Sequence, residues 1–300
     1  MPAQPKVAPK IAFIGTGIMG SHMAGRLGEA GLDVTAWNRS AAKVEALASA
    51  GVQRAASVRD AVAGAECIIV MLSTGHAIDE VLFSGGAPIE AIAAGATLVV
   101  MSSIPVETCR RQAEDLLKRG AHYVDAPVSG GEVGARDGTL AILAGGDAEI
   151  VESLAPMFKL LGRATHLGPV GAGQAAKLAN QIIVGGTMVA VAEALHFAAR
   201  NGADPAKVRN ALAGGFGDSK ILHLHGTRMV ERDFAPGSPA EYQLKDLRAA
   251  QALAKSLSLD LTLLNTLAAM FGDMIEHEGT GTDVSGILLE VERRSTMPAT

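Results

Sequence analysis

Between Lys10 and about Gly168, short apolar runs of β type alternate with stretches of helical spacing. The runs predicted as strands are KIAFI, DVTAW, CIIVML, TLVVM, HYVDA and TLAILAGG, and two of the predicted helices cover residues 21–30 and 40–50. Such alternation is typical of a parallel sheet covered by helices. The nearly continuous apolar character of CIIVML and TLVVM favours central strands buried on both faces.

After Gly168 the pattern changes, because almost every segment has helical spacing and glycine or proline separates the segments. We therefore predict a flexible tail at residues 1–9, an α/β domain at residues 10–168 and an all-helical domain at residues 169–300. The segment 174–201 is apolar on most of its circumference, which predicts a long helix between domains or subunits and favours a homo-oligomer.

Composition excludes several classes of protein. With 48% apolar residues, 19% charged residues and two cysteines, the chain can form a core without disulfides or a structural zinc. A net charge of −5 argues against nucleic acid or an anionic membrane as a partner. No signal peptide is predicted, and the apolar run 181–194 is predicted to be a buried helix too short to span a bilayer, so we expect a cytoplasmic protein. Cys67 and Cys109 are predicted to be reduced packing residues, and no histidine spacing indicates a metal site.

A GxGxxG motif, Gly15-Thr16-Gly17-Ile18-Met19-Gly20, follows the first predicted strand directly and opens a helix. Gly15 would permit the tight turn, Gly17 would let the backbone approach a pyrophosphate, and Gly20 would let the helix pack on the strand. The helix N-terminus adds amide donors and partial positive charge. This context predicts that the first domain binds a dinucleotide.

The residues after the second predicted strand bear on which dinucleotide binds. A free ribose 2′-OH usually meets Asp or Glu roughly 20 residues beyond the motif, but here the chain has Asn38-Arg39-Ser40. An amide, a guanidinium and a hydroxyl suit a 2′-phosphate, so NADP(H) is favoured, with NAD(H) as the alternative. The other interpretation is an ordinary helix start capped by Ser40, with Arg39 in solvent.

Two further segments carry polar groups suited to a small carboxylate substrate. In the segment Asp125-Ala-Pro-Val-Ser129-Gly130-Gly131, the serine hydroxyl and the glycine amides could hold a carboxylate, although the segment alone favours an ordinary glycine-rich turn. Further on, Lys177, Asn180 and Gln181 share one face of an otherwise apolar predicted helix. A lysine in a cleft between two domains would be functional, whereas the alternative is a lysine that extends to the surface.

Taken together, FIGTGIMGSHMA, MSSI, DAPVSGGE, DGTLAILAGGD, GAGQAAKLANQ and YQLKDL resemble the β-hydroxyacid dehydrogenases over nearly the whole chain. DAPVSGGE, DGTL and KLANQIIV look most like the tartronate semialdehyde (2-hydroxy-3-oxopropionate) reductase branch. The resemblance implies a Rossmann-like NAD(P)-binding domain, an all-α C-terminal domain, a long inter-domain helix and assembly as dimers or tetramers.

The resemblance also implies roles for single residues. Lys177 matches the family's catalytic lysine, and Asn180 matches the asparagine that helps position the substrate. Ser129, Gly130 and Gly131 match the loop that binds the substrate carboxylate. Ser103 and Lys245 match positions beside the cofactor. Val100 and Ser73 depart from the residues common in close relatives, which leaves fine substrate or cofactor preference open.

These features predict an NAD(P)H-dependent enzyme that interconverts a small carboxylated semialdehyde and its hydroxy acid, with 2-hydroxy-3-oxopropionate and glycerate as the favoured pair. A 3-hydroxyisobutyrate dehydrogenase or another short-chain semialdehyde reductase shares every motif. Imine reductases of the same architecture generally lack the lysine. An NADP-binding scaffold or sensor without catalysis is the alternative of another class.

Overall fold

A computed structural model describes residues 9–84 and 88–296. The predicted tail therefore lies outside the described residues, except for Pro9. The chain divides into two compact units between Lys177 and Leu178. This division falls inside a long helix, whereas the sequence places the proposed domain boundary before that helix begins.

A six-stranded parallel sheet forms the centre of the first unit, in the order β3-β2-β1-β4-β5-β6. Its strands are β1 (Ile11–Ile14), β2 (Val34–Trp37), β3 (Gln53–Arg54), β4 (Cys67–Val70), β5 (Thr97–Val100) and β6 (His122–Asp125). Every residue of β1, β4 and β5 is buried, and one apolar cluster covers each face of the sheet. The predicted burial of CIIVML and TLVVM on both faces is thus confirmed for their strands, and the chain has the expected Rossmann-like α/β architecture.

A second sheet of three strands was not expected. It comprises β7 (Val128–Ser129), β8 (Leu140–Ala144) and β9 (Gly162–His166); β7 pairs antiparallel and β9 parallel with β8. The placement of TLAILAGG in the parallel sheet is therefore wrong. Burial alternates along β8, so one face of this strand is covered less than a central strand would be, but every side chain is apolar and the sequence hides that alternation.

Helices surround the sheets of the first unit and account for most of the second. The first unit contains α1 (Ile18–Glu29), α2 (Ala42–Glu45), α3 (Val58–Val62), α4 (Gly75–Ile78), α5 (Val106–Leu117), α6 (Gly131–Asp137), α7 (Ala148–Ser153) and α8 (Ala155–Leu161). Helix α9 (Ala172–Arg200) extends from the first unit into the second, which continues with α10 (Pro205–Leu212), α11 (Lys220–Glu231), α12 (Ala240–Ser256), α13 (Thr262–Glu278) and α14 (Ile287–Thr296). The prediction of an all-helical C-terminal region is confirmed.

Helix α9 is less buried than its sequence predicts. By length and composition it is the one helix of the described residues that could cross a membrane, yet only 33% of its most apolar window is buried within the chain. Ile183 and Phe197 expose 69% and 72% of their surface. The prediction of a buried helix is therefore wrong for the single chain.

Both cysteines are packing residues, as the sequence predicts. Cys67 and Cys109 are free and buried. Burial raises the pKa of the Cys67 thiol to about 12 and holds the pKa of the Cys109 thiol far above its ordinary value. Neither thiol has the lowered pKa of a reactive cysteine.

Candidate active site

The loop between β1 and α1 places the three glycines of the motif in different surroundings. Gly15 has a φ of +101°, and a Cβ there would lie 2.3 Å from the carbonyl oxygen of Met71. A Cβ on Gly20 would lie 2.0 Å from the carbonyl oxygen of Gly15, so only glycine lets α1 approach the loop this closely. A Cβ on Gly17 would meet nothing within 4 Å. Gly15 and Gly20 thus shape the loop, and Gly17 leaves open space beside it.

The N-terminus of α1 presents features that suit a bound anion. Helix α1 begins after Gly17, and no side chain caps its first turn. Ile18 exposes 69% of its surface, which is unusual for a large apolar residue, and Met19 is half-buried. Uncapped backbone amides at a helix start, with open space and an exposed apolar side chain beside them, fit the pyrophosphate and adjoining groups of a dinucleotide.

Asn38 joins the loops that follow β1 and β2. The backbone N–H of Thr16 donates to Asn38 Oδ1 at 3.2 Å, and Asn38 Nδ2 donates to the carbonyl oxygen of Ser40 at 3.2 Å. Both ends of this amide are thus bonded within the protein, and Arg39 and Ser40 are exposed beside it. Helix α2 has Ala41 at its N-cap and no side-chain cap, so the alternative interpretation of Ser40 as a cap is wrong.

The loop after β5 is fixed on both sides of Ser103. The backbone N–H of Leu72, beyond β4, donates to Ser102 Oγ at 2.8 Å. Gln174 Nε2 donates to the Ser102 carbonyl at 2.8 Å, and Gln174 Oε1 accepts from the backbone N–H of Ile104 at 3.0 Å. The side chain of Gln174, which is fully buried, therefore holds the first turn of α9 against this loop.

Asp125 ties the same turn of α9 to the end of β6. Its Oδ1 accepts from the backbone N–H of Gly171 and its Oδ2 from that of Gln174, both at 2.8 Å. The carboxyl is fully buried, and burial raises its pKa, although these amides act in the opposite direction. A Cβ on Gly173 would lie 2.2 Å from the carbonyl oxygen of Leu143 in β8. The first turn of α9 therefore packs directly on the strand ends.

The predicted carboxylate loop lies between β7 and α6. Ser129 is half-buried, whereas Gly130 and Gly131 are exposed and have φ values of +140° and +63° that favour glycine. Helix α6 is held against α1 because Arg26 Nη1 donates to the carbonyl oxygen of Arg136 at 2.9 Å. The loop is thus attached to the helix that the glycine motif opens.

Lys177, Asn180 and Gln181 lie on one face of α9, since the helix is continuous over these residues. All three are half-buried. Asn180 Nδ2 donates to Gln181 Oε1 at 2.9 Å. Within the second unit, the side chains of Gln181 and Gln243 are bonded at 2.9 Å, and Gln243 Nε2 also donates to the Gln181 carbonyl at 2.9 Å. Helix α12 is thereby fixed beside the start of the α9 segment in that unit.

Lys245 belongs to α12 in the second unit, and its Nζ lies 3.2 Å from Asp246 Oδ1. The start of α12 is anchored by Asp283, whose Oδ2 accepts from the backbone N–H of Ser238 at 2.7 Å. Asp283 Oδ1 accepts from the hydroxyl of Ser285 at 2.6 Å. Lys245 therefore belongs to a helix whose preceding segment is held by a buried carboxylate.

The first unit thus gathers most of the predicted site residues at one edge of the parallel sheet. The glycine, Asn38 and Ser103 loops follow the carboxyl ends of β1, β2 and β5, where open α/β sheets bind their ligands, and the first turn of α9 is bonded to Asp125 at the end of β6. The strand order reverses direction between β1 and β4, beside the glycine loop. Asn180 and Lys245 belong to the second unit.

Two family models match this chain. The NAD binding domain of 6-phosphogluconate dehydrogenase matches residues 10–185, and the NAD-binding domain of NADP-dependent 3-hydroxyisobutyrate dehydrogenase matches residues 171–290. The 2-hydroxy-3-oxopropionate reductase of Escherichia coli is 44% identical over 89% of this chain and 94% of the relative. The chain belongs to the β-hydroxyacid dehydrogenase family.

Other members of the family agree with this assignment. The NAD-dependent L-serine dehydrogenase of Pseudomonas aeruginosa is 33% identical over 90% of this chain and 93% of the relative. The structure of Mycobacterium tuberculosis 3-hydroxyisobutyrate dehydrogenase with L-serine matches 95% of this chain and 99% of the other, with a TM-score of 0.86 and 27% identity. This β-hydroxyacid dehydrogenase is accordingly an NAD(P)-dependent oxidoreductase that acts on the CH–OH group of small molecules.

The structure of this β-hydroxyacid dehydrogenase also reveals supporting residues that sequence reasoning missed. Gln174 and Asp125 fix the helix that carries Lys177, and Gln243 links α9 with α12. One signal was available for Gln174, because it is a polar residue one helical turn before Lys177 in an apolar helix. Its partners are about 70 positions away in the chain, and no sequence pattern indicates them.

Proposed function

We propose that this enzyme interconverts 2-hydroxy-3-oxopropionate and glycerate, a small carboxylated semialdehyde and its hydroxy acid. The observation that supports the proposal most is the attachment of the Lys177 helix, through its first turn, to the strand ends beside the Ser103 loop. This arrangement fixes the backbone from which the half-buried Lys177 side chain extends, close to the edge of the sheet where ligands bind. The choice of substrate is supported by the 44% identity with the Escherichia coli 2-hydroxy-3-oxopropionate reductase.

Lys177 acts as the general acid in this proposal. A nicotinamide cofactor, when bound, would supply or accept the hydride. The Lys177 ammonium donates a hydrogen bond to the aldehyde oxygen and gives up its proton as negative charge develops there. In the oxidative direction the neutral amine takes the proton from the hydroxyl group. Asn180, one helical turn further along α9, helps to orient the substrate.

Ser129 and the backbone amides of Gly130 and Gly131 hold the substrate carboxylate. The two glycines have positive φ values and no side chains, so their N–H groups remain accessible to an anion. A hydroxyl and two amides can stabilise a carboxylate by charge-assisted hydrogen bonds without requiring a fixed cation. Lys245 is assigned to the cofactor from the second unit, and this assignment rests on its match to the family motif.

The proposed cofactor is NADP(H) in preference to NAD(H). Gly15, Gly17, Ile18, Met19 and Gly20 hold the pyrophosphate side, and Asn38, Arg39, Ser40 and Ser103 complete the cofactor contacts. Exposed Arg39 is available to a 2′-phosphate, whereas Asn38 acts by fixing the loop that carries Arg39.

We expect Arg39→Ala to raise the KM for NADPH by about 10- to 100-fold, because the variant loses one charged hydrogen bond to the 2′-phosphate. The KM for NADH, which lacks this phosphate, should stay nearly unchanged. Lys43→Ala, which removes a neighbouring exposed cation, is the matched control.

One other function has support from specific observations. A 3-hydroxyisobutyrate dehydrogenase is supported by the family model over residues 171–290 and by the Mycobacterium tuberculosis structure. Other short-chain semialdehyde reductases share the same proposed residues. An NADP-binding scaffold without catalysis is disfavoured because Lys177, Asn180 and Ser129 are all present.

We further propose that the enzyme is a cytoplasmic homodimer or homotetramer. Buried, unpaired Cys67 and Cys109 fit a reducing compartment. Large apolar side chains of the second unit are exposed in the single chain, among them Phe197 at 72% and Leu224 at 63%. Covering them with a second copy would remove this apolar area from water. Light scattering of the purified protein tests the assembly, and a concentration-independent monomer would contradict it.

The experiment that tests the function is a substrate panel followed by the absorbance of reduced nicotinamide. NADPH and NADH are each assayed with tartronate, methylmalonate, succinic and malonic semialdehydes and with glyoxylate. We expect tartronate semialdehyde with NADPH to have the highest kcat/KM. A preference for methylmalonate semialdehyde would favour 3-hydroxyisobutyrate dehydrogenase instead. No turnover with any aldehyde, despite normal NADPH binding, would favour the scaffold.

A further inference from the structure

Among the described residues of the first unit, Gln174 and Gln112 are fully buried glutamines that bond through both ends of the side-chain amide. The bonds of Gln174 run from α9 to the Ser102 carbonyl and the Ile104 N–H, which are the backbone groups on either side of Ser103. A buried amide can donate at one end and accept at the other, so these two bonds allow a single orientation of the side chain.

The position of Gln174 connects this amide to the proposed acid. Lys177 follows one helical turn later, about 4.5 Å further along the helix axis and near the same face. The first turn is also held by Asp125, which accepts from the backbone N–H groups of Gly171 and Gln174. A helix fixed at its first turn to two strand ends has little freedom to rotate or slide. A shift of the helix backbone at Gln174 would therefore move Lys177 by nearly the same distance.

We propose that Gln174 is a positioning residue, whose buried amide locks the first turn of α9 to the Ser103 loop and thereby sets the place from which Lys177 delivers its proton. The inference rests on the proposed function, since it acts through Lys177. Gln174 itself touches neither substrate nor cofactor in this account. Its effect is geometric, because a small misplacement of a catalytic group lowers the rate much more than it lowers binding.

The test uses Gln174→Met, which keeps the length of the side chain and removes both bonds. We expect kcat to fall about 10- to 100-fold, with the KM for the aldehyde and the dissociation constant of NADPH within about threefold of wild type. Gln112→Met is the matched control. Gln112 bonds Tyr123 and Asp79 and has no bond to α9, so this variant should lower the melting temperature and leave kcat within about twofold.

A double-mutant cycle separates positioning from general loss of structure. In a Lys177→Ala background, Gln174→Met should lower kcat by less than about threefold, because the group that it positions is already absent. Losses that multiply in the double mutant would contradict the inference, as would an unchanged kcat in the single Gln174→Met variant. If Gln174→Met does not fold, Gln174→Glu enters the same cycle, since it keeps the acceptor for Ile104 and loses the donor to Ser102.

The same cycle distinguishes the two possible failures. Near-normal turnover by Lys177→Ala alone would contradict the proposed function. It would also contradict the inference that Gln174 acts by positioning Lys177. A slow Lys177→Ala variant combined with multiplying losses would contradict the role of Gln174 and leave the proposed function intact.

Discussion

A methyl group added at Gly17 would meet open space, whereas one added at Gly20 would meet the backbone of Gly15, so we propose that Gly17 serves binding and Gly20 serves packing. Gly17→Ala should leave the melting temperature unchanged or slightly higher, because its added Cβ has no neighbour within 4 Å and its φ of −74° suits alanine. The methyl group would instead occupy the space proposed for the pyrophosphate. NADPH binding should weaken by about 10- to 100-fold, which corresponds to about 1.4 to 2.7 kcal/mol.

Gly20→Ala provides the contrast. Its Cβ would lie 2.0 Å from the Gly15 carbonyl, so we expect a loss of about 1–3 kcal/mol in the free energy of unfolding. Fluorescence of Trp37, the single tryptophan of the chain and the last residue of β2, reports cofactor binding in both variants. A Gly17→Ala variant that melts early but binds NADPH normally would reverse the two assignments.

At this scale the sequence predicts residues whose partners are near in the chain. The glycine motif is readable because a strand, a turn and a helix follow one another within a few positions. Lys177 is conspicuous as a charge in an apolar helix. Two sets of hydrogen bonds could not be predicted from the sequence. The bond between Thr16 and Asn38 joins residues 22 positions apart, and the bonds from Gln174 to the loop that contains Ser103 join residues about 70 positions apart. Pattern and propensity contain no information on such pairs.

Among the elements, the α11–α12 connection of the second unit depends on one buried carboxylate. Burial by itself would raise the pKa of Asp283, but hydrogen bonds from Ser285 and Ser238, together with the His225 ring 3.6 Å away, outweigh it and hold the pKa well below its ordinary value. Since the folded state binds this proton more weakly than the unfolded state, the ionised carboxylate stabilises the protein above the ordinary aspartate pKa. That contribution is lost as the pH falls below about 4.

Asp283→Asn should therefore lower the free energy of unfolding by about 1–3 kcal/mol at neutral pH, and the difference from wild type should shrink below about pH 4. Urea unfolding followed at several pH values measures both quantities. Asp260→Asn, at an exposed aspartate before α13, is the control and should show neither effect. A difference that stays constant down to pH 3 would mean that the carboxylate charge contributes nothing.

Most of the strands could be predicted from the sequence, but the sheet to which each strand belongs could not. The unbroken apolar runs CIIVML and TLVVM favour central strands, because a strand in a sheet covered on both faces buries all of its side chains. TLAILAGG looks the same in sequence, yet β8 belongs to the smaller sheet and is covered mainly on one face. The two-residue strands β3 and β7 carry too few positions for any periodicity. Sheet membership therefore depended on long-range pairing rather than on local pattern.

For the whole molecule, the sequence predicts the order of an α/β region and an all-helical region, because periodicity changes once along the chain. It could not predict that α9 exposes apolar side chains in a single chain, since composition alone does not distinguish a buried helix from one covered by a partner. The family assignment then accounts for oxidoreductase chemistry. The reaction proposed for this member depends on the role of Lys177.

The most direct test of that role is single-turnover hydride transfer by Lys177→Ala with saturating NADPH and aldehyde. Loss of a general acid should slow this step by about 10²- to 10⁴-fold. The dissociation constant of NADPH, measured by Trp37 fluorescence, should stay within about threefold of wild type, because the proposal places Lys177 at the substrate oxygen rather than at the cofactor phosphates. Hydride transfer at a rate within about twofold of wild type would contradict the account.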